Sequence, residues 1–210
     1  MKLKIFWTKY RNILPVFGVL ILCLVALMVT GLSLLKKVKS QPPKSTNQEN
    51  NNNPSGDVYQ INDDSLGLYF SMDKSMERIS QQELTQKNPY FVYGFKPKDV
   101  ESVACYVSQT KRAKPGYVSP EYLKDGTFNE IKKASPDIKL DSWDKVKLGE
   151  IEGARLNMTY KEGDKTLKQI EIVGTTDVSA TFAFCAAPES LYNDLYKNKF
   201  DTFLNSLKIK

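Results

Sequence analysis

The sequence predicts an α+β protein: an N-terminal transmembrane helix, then an antiparallel β-sheet flanked by helices. Three observations carry this. Ile13–Leu35 is 23 residues long without a charge. Between residues 145 and 186, four apolar runs alternate with short Gly-, Asp- or Thr-containing turns. From Ser190 onward, Tyr192, Leu195, Tyr196, Phe200, Phe203, Leu204 and Leu207 recur at helical spacing and form one apolar face.

The apolar run organises the chain. As a helix it reaches about 35 Å, enough to cross a hydrocarbon core with some tilt. It exceeds a signal-peptide core in length and no A-x-A-like cleavage site follows it, so it reads as a permanent signal anchor. Cys23 lies inside it, after the bulky Leu22, and reads as a packing residue rather than a lipidation site. Residues 1–12 form a short basic tail with Trp7 and Tyr10 at interfacial positions. The charges flanking the span are nearly balanced, with Lys2, Lys4, Lys9 and Arg11 before it and Lys36, Lys37, Lys39 and Lys44 after it. The short tail places the N-terminus in the cytoplasm and the C-terminal domain outside, in a single-pass topology at the cell membrane. The opposite orientation would make the domain an inward-facing cytoplasmic adaptor.

Residues 36–56 form a polar linker. Ser40–Gly56 holds no large apolar residue and reads as a disordered tether with a reach of roughly 20–25 Å. Residues 57–210 then have a common size for one domain.

Charge is unevenly distributed. The chain has 30 Lys and Arg against 24 Asp and Glu, but residues 1–56 hold eight of the bases and one acid. The domain keeps 22 basic and 23 acidic residues, which gives no electrostatic footprint for nucleic acid. The basic flanks instead suit anionic headgroups of the lipid bilayer. Histidine is absent, which excludes a Ser-His-Asp triad, a Cys-His pair and His-ligated metal.

Within the domain, Val58–Ile61, Asn62–Ser65 and Gly67–Met72 read as strand, turn and strand. Ser80-Gln81-Gln82-Glu83 is a capping box that starts a helix ending before Asn88-Pro89. Tyr90, Phe91, Tyr93 and Phe95 form an aromatic cluster, either a ligand platform or, more plainly, core. Val100–Gln109 reads as an interior strand. It runs into a basic loop in which Lys111, Arg112 and Lys114 can meet an anionic partner or simply be solvated. Ser119-Pro120-Glu121 opens a helix. Asp125-Gly126 interrupts it, a second capping box at Thr127–Glu130 restarts it, and Ser135-Pro136 ends it. Lys145–Leu148, Gly153–Tyr160, Thr166–Val173 and Val178–Ala186 then form an antiparallel meander, crossed by the C-terminal helix.

Cys105 and Cys185 fall in predicted strands. An oxidising location permits a disulfide worth roughly 4 kcal/mol over their long loop. Two separate buried thiols are the alternative, because the sequence does not show whether the strands are adjacent. The paired acids Asp63-Asp64, Asp141 with Asp144, and Glu150 with Glu152 flank predicted turns and lack calcium-loop spacing. They read as solvated or capping groups. No metal or cofactor set is recognised, and no catalytic motif.

Three stretches together resemble the PsbP-like fold, an α/β/α sandwich shared by the extrinsic PsbP proteins of photosystem II and a yeast Ran-binding relative. They are Gly67-Leu68-Tyr69-Phe70-Ser71-Met72, then Gly153-Ala154-Arg155-Leu156 through Ile170-Glu171-Ile172-Val173, and Phe200-Asp201-Thr202-Phe203-Leu204-Asn205-Ser206-Leu207. Many relatives place a proline and a tryptophan where this chain has Asp73-Lys74-Ser75-Met76. The histidines proposed as metal ligands in some PsbP proteins have no counterpart. The resemblance implies a non-enzymatic assembly factor, stabiliser or adaptor. The reading is therefore a membrane-anchored extracytoplasmic domain that binds or scaffolds an envelope protein or polymer and is not an enzyme. A membrane-tethered hydrolase using carboxylates or a Ser-Lys pair is the alternative.

Overall fold

The structure, a computed structural model, describes residues 57–210. The expected tail, span and linker lie outside the described residues. Among the described residues, no helix is long and apolar enough to cross a membrane.

The first hairpin joins β1 (Val58–Asp63) to β2 (Leu68–Asp73), in antiparallel register from Val58 opposite Asp73 to Asp63 opposite Leu68. Its turn is closed by Asp63, whose carboxylate accepts from the Ser65 and Leu66 amides. Gly67 follows at φ +64°, and a Cβ there would lie 2.5 Å from the Lys210 carbonyl oxygen. Only glycine suits that backbone and that closeness. The chain continues through β3 (Met76–Arg78), α1 (Gln81–Lys87), β4 (Phe91–Pro97) and β5 (Ala104–Lys111). The Ser80 hydroxyl caps α1 by accepting from the Glu83 amide, the serine half of the predicted capping box, while the Glu83 carboxylate pairs with Lys87 and Lys96.

Next comes α2 (Pro120–Ala134), capped by Ser119. It is a single helix, so the predicted break at Asp125-Gly126 does not occur. Leu123, Thr127 and Ile131 recur every four residues and are all buried. Their packing outweighs the roughly 1 kcal/mol that a mid-helix glycine costs, and Thr127 is used as core rather than as a cap.

The meander is β6 (Lys139–Leu148), β7 (Ile151–Glu162), β8 (Lys165–Thr175) and β9 (Ser179–Pro188), each antiparallel to the next. β6 begins six residues before the predicted strand. It is an edge strand that is mostly exposed, so its Lys139–Asp144 half carries little hydrophobic signal. The chain closes with α3 (Glu189–Leu191), a π-helical turn at Tyr192–Tyr196, α4 (Lys197–Ser206) and β10 (Lys208–Ile209). Tyr192, Tyr196, Phe200, Phe203, Leu204 and Leu207 are buried, but Leu195 is 56 % exposed. The wider π turn keeps both tyrosines inward and leaves Leu195 off the predicted apolar face.

Two sheets result: β1-β2-β10, and a seven-stranded sheet in the order β3-β4-β5-β9-β8-β7-β6. One face of the large sheet, with Cys105, Val107, Ile170, Ile172, Ala183 and Cys185, packs against the small sheet and α4. On the other face Leu156, Val173 and Phe182 cluster with Leu123 and Ile131 of α2. Tyr106 and Phe184 cluster there with Leu84 of α1. The domain is thus a mixed α+β sandwich with helices on both faces of an antiparallel sheet.

Candidate binding cleft

The residues singled out by sequence separate into core and surface. Phe91 and Tyr93 lie two apart, yet the register of β4 shifts between them, from Phe91 opposite Ser108 to Tyr93 opposite Val107. That bulge sends them to opposite faces. Phe91 stacks on Tyr106 with ring centroids 4.6 Å apart. Tyr93 and Phe95 join the other core, beside Phe70. The Tyr93 hydroxyl donates to Asp63 Oδ2 at 2.7 Å, and burial together with that bond pushes its pKa up to about 12. Phe91, Tyr93 and Phe95 are buried, whereas Tyr90 is 40 % exposed. The cluster therefore forms core and not a platform, with Tyr90 alone at the surface.

Cys105 and Cys185 occupy directly opposed positions on β5 and β9 and form a disulfide. The bond sits in the main core, with neither residue exposed. It braces the strands at the centre of the sheet and offers solvent no sulfur.

The basic loop has a defined conformation. The Arg112 amide donates to the Val178 carbonyl at 2.9 Å. Its Nη1 donates to the carbonyls of Gly116 at 2.8 Å and Thr176 at 2.5 Å. Gly116, at φ +124°, donates its amide to Asp177 Oδ1 at 2.9 Å. These bonds fasten the loop to the β8–β9 turn. Lys111 ends β5 and is exposed, as is Lys114.

The loop forms the lip of a cleft of about 430 Å³ beneath the first half of α2. Val173, Ala180 and Phe182 form the floor, and Leu123, Gly126 and Thr127 of α2 the roof. Arg112, Lys114, Tyr117 and Tyr122 line the mouth. Tyr117 is 76 % exposed and Tyr122 48 %, unusual for side chains with so much apolar area. The Tyr117 hydroxyl donates to Glu152 Oε2 at 3.0 Å, a bond that raises its pKa. Neither Arg112 nor Lys114 forms an ion pair among the described residues. The basic loop thus points to the cleft, but sequence reading missed Tyr117, Tyr122 and Phe182. The available signal was a pair of tyrosines around a Pro-Gly turn next to the basic residues.

Two other clefts differ in character. One, of about 630 Å³, lies where the π turn meets β6–β8. Most of its charges are paired, Lys168 with Asp141 at 3.1 Å and with Glu189 at 3.6 Å, and Arg155 and Lys197 with Asp201 at 2.5 and 2.6 Å. Asp144 alone of its lining charges has no ion pair among the described residues. The other, of about 390 Å³, lies between Lys87 and the β7–β8 turn. Glu171 lines neither, nor the cleft under α2. It is buried in β8, accepting from Gln169 Nε2 at 3.0 Å, and burial pushes its pKa up to about 8. Lys199 Nζ lies 2.7 Å from Ser75 Oγ, a Ser-Lys contact on exposed surface outside all three clefts. Among the described residues, no group of three or more acidic or cysteine side chains is arranged to hold a metal ion.

No protein-family model matches the sequence, and no curated protein matches it. Solved structures do match in fold. The solution structure of cyanobacterial PsbP (CyanoP) from Synechocystis sp. PCC 6803 is similar at a TM-score of 0.58 and 12 % identity, over 79 % of this chain and 99 % of that one. The crystal structure of LpqN, involved in cell envelope biogenesis of Mycobacterium tuberculosis, is similar at 0.52 and 13 % identity, over 73 % and 90 %. The domain therefore has a PsbP-like fold, distant in sequence from both.

Proposed function

We propose that the chain is a single-pass membrane protein whose PsbP-like domain is held outside the membrane as a non-catalytic binding or scaffolding module for an envelope protein or polymer. The cleft under α2 carries this reading: an apolar floor, two exposed tyrosines and two cations without carboxylate partners, all at one end of the sheet. Such a combination suits recognition, in which an apolar surface supplies affinity and a few polar groups fix orientation.

Three further features support the placement. The Cys105–Cys185 bond fits an oxidising compartment. The apolar run and polar tether of residues 13–56 would hold the domain close to the headgroups. LpqN, of the same fold, is involved in cell envelope biogenesis, a setting compatible with this one. A hydrolase is less well supported, because the strongly perturbed Glu171 lines none of the clefts described above and reaches the nearest only through Gln169.

Photocrosslinking in living cells tests the reading. A benzophenone amino acid at position 117 should give a discrete adduct with an envelope component, and one at the exposed Leu195 should not. Equal adducts at both positions, or none at 117, would count against the cleft as the binding surface.

A further inference from the structure

We propose that the ligand of this cleft is a single-chain anionic amphiphile, its aliphatic chain lying between α2 and the β8–β9 floor and its carboxylate-type head meeting Arg112 and Lys114. The proposal rests on the reading of the cleft as the binding site and adds the chemistry of its occupant.

The interior selects for an apolar body. Leu123, Val173, Ala180 and Phe182 face the space, and a volume of about 430 Å³ lies within the usual range for small-molecule sites. A purely polar anion would leave that surface wet and gain little from it. The lip, in turn, selects for a negative end. Arg112 Nη1 spends its two protons on the Gly116 and Thr176 carbonyls, which fixes the guanidinium plane. Its Nη2 and Nε donors have no protein acceptor among the described residues. An anchored guanidinium with free donors is arranged for charge-assisted bonds to a planar carboxylate.

Of the neighbouring acids, Glu121 is paired with Lys145 at 2.6 Å. Asp177 and Glu152 keep their charge, accepting from the Gly116 amide and the Tyr117 hydroxyl, but neither lines the cleft. Lys114 adds a second cation without a partner of its own. The exposed Tyr117 and Tyr122 rings flank the mouth, where the chain of an amphiphile would enter. A neutral apolar ligand would leave both cations unused, and a purely polar anion would leave the apolar floor unfilled.

The test uses the full chain in phosphatidylcholine nanodiscs, with decanoic acid carrying a terminal diazirine as probe and mass spectrometry to map the labelled peptides. Labelling should concentrate in residues 118–127 and 173–182. It should exceed labelling by the matching diazirine-bearing decanol by roughly tenfold, the worth of one good charge-assisted contact. Lys114→Glu, a change at an exposed residue without a hydrogen bond or ion pair of its own, should reduce it several-fold while leaving the circular dichroism spectrum unchanged. Two competition arms identify the source. Suppression by free decanoate supports the proposal; suppression by phosphatidylglycerol in the disc and not by decanoate would overturn it, because that lipid has two chains and a phosphodiester head. Equal labelling of the cleft by the alcohol would overturn the anion assignment and leave a binding cleft in place. Label absent from the cleft, or unaffected by Lys114→Glu, would overturn the proposal and leave the photocrosslinking test of the binding surface standing.

Discussion

Cys105 on β5 and Cys185 on β9 are directly opposed across an antiparallel ladder, their Cα atoms 4.0 Å apart and their sulfurs bonded. The bridge spans 80 residues of chain, so it restricts the unfolded ensemble by roughly 4 kcal/mol in the loop-entropy description. Unfolding by urea with and without reductant should show a loss of about 2–4 kcal/mol on reduction. The Cys105→Ala/Cys185→Ala variant should become insensitive to reductant. An unchanged midpoint on reduction would show that the bond contributes nothing.

Glu171 links stability to pH. Burial raises its pKa from 4.5 to about 8, and no charged group contributes to the shift. The native state therefore holds a proton on Glu171 across a range in which the unfolded state has lost it. Stability from this group is complete below about pH 4.5 and declines as pH rises towards 8. The total is of the order of 4–5 kcal/mol. Glu171→Gln keeps the shape without the titration, and should stabilise the domain by about 1–3 kcal/mol at pH 7. It should also flatten the stability profile between pH 5 and 8. Urea unfolding across that range reads both effects, and parallel profiles for the two proteins would refute the assignment.

Phe203 fixes α4 to the sheets. Its ring is fully buried, with centroids 5.1 Å from Phe70 and 6.3 Å from Phe95. Phe203→Ala should cost about 3–5 kcal/mol through lost burial and a residual cavity. Leu195→Ala, at an exposed site of the same segment, should stay within about 0.5 kcal/mol of the parent. The difference between their thermal midpoints checks the claim that the π turn, and not α-helical periodicity, sets the buried face.

Gly153 is required by a close approach. A Cβ there would lie 2.5 Å from the Val173 carbonyl oxygen and 2.8 Å from Leu148 Cδ1. Because the first obstacle is backbone, Gly153→Ala should destabilise the domain by more than about 1 kcal/mol. At Gly163 nothing lies within 4 Å of the added carbon, so there only the positive φ of +59° resists alanine, and the penalty should be smaller. Denaturant midpoints of the two variants give the comparison.

These elements also show what the sequence conveys. The serine cap at Ser80, the meander turns and the buried C-terminal aromatics are local patterns, and the folded domain uses them. The break at Asp125-Gly126 was misjudged because a local glycine signal lost to the packing of Leu123, Thr127 and Ile131 on the sheet. The split of Phe91 from Tyr93 depends on a bulge in pairing with β5, which no alternation pattern encodes. The cleft was legible only in its basic lip. Its floor comes from β8 and β9 and its roof from α2, segments about 50 residues apart that only the tertiary fold brings together. Whether Cys105 meets Cys185 had the same character, since it rests on β5 lying beside β9.

The central claim is that a disulfide-braced binding domain stands outside the membrane on a polar tether. Protease treatment of right-side-out spheroplasts, followed with an antibody to the C-terminus, tests it most directly, because Ser40–Gly56 should be cut wherever protease can reach it. The account predicts release of a stable fragment of about 150 residues, in which Cys105 and Cys185 resist alkylation until reductant is added. Protection of the tether until the membrane is lysed, with both thiols free to alkylate, would contradict it.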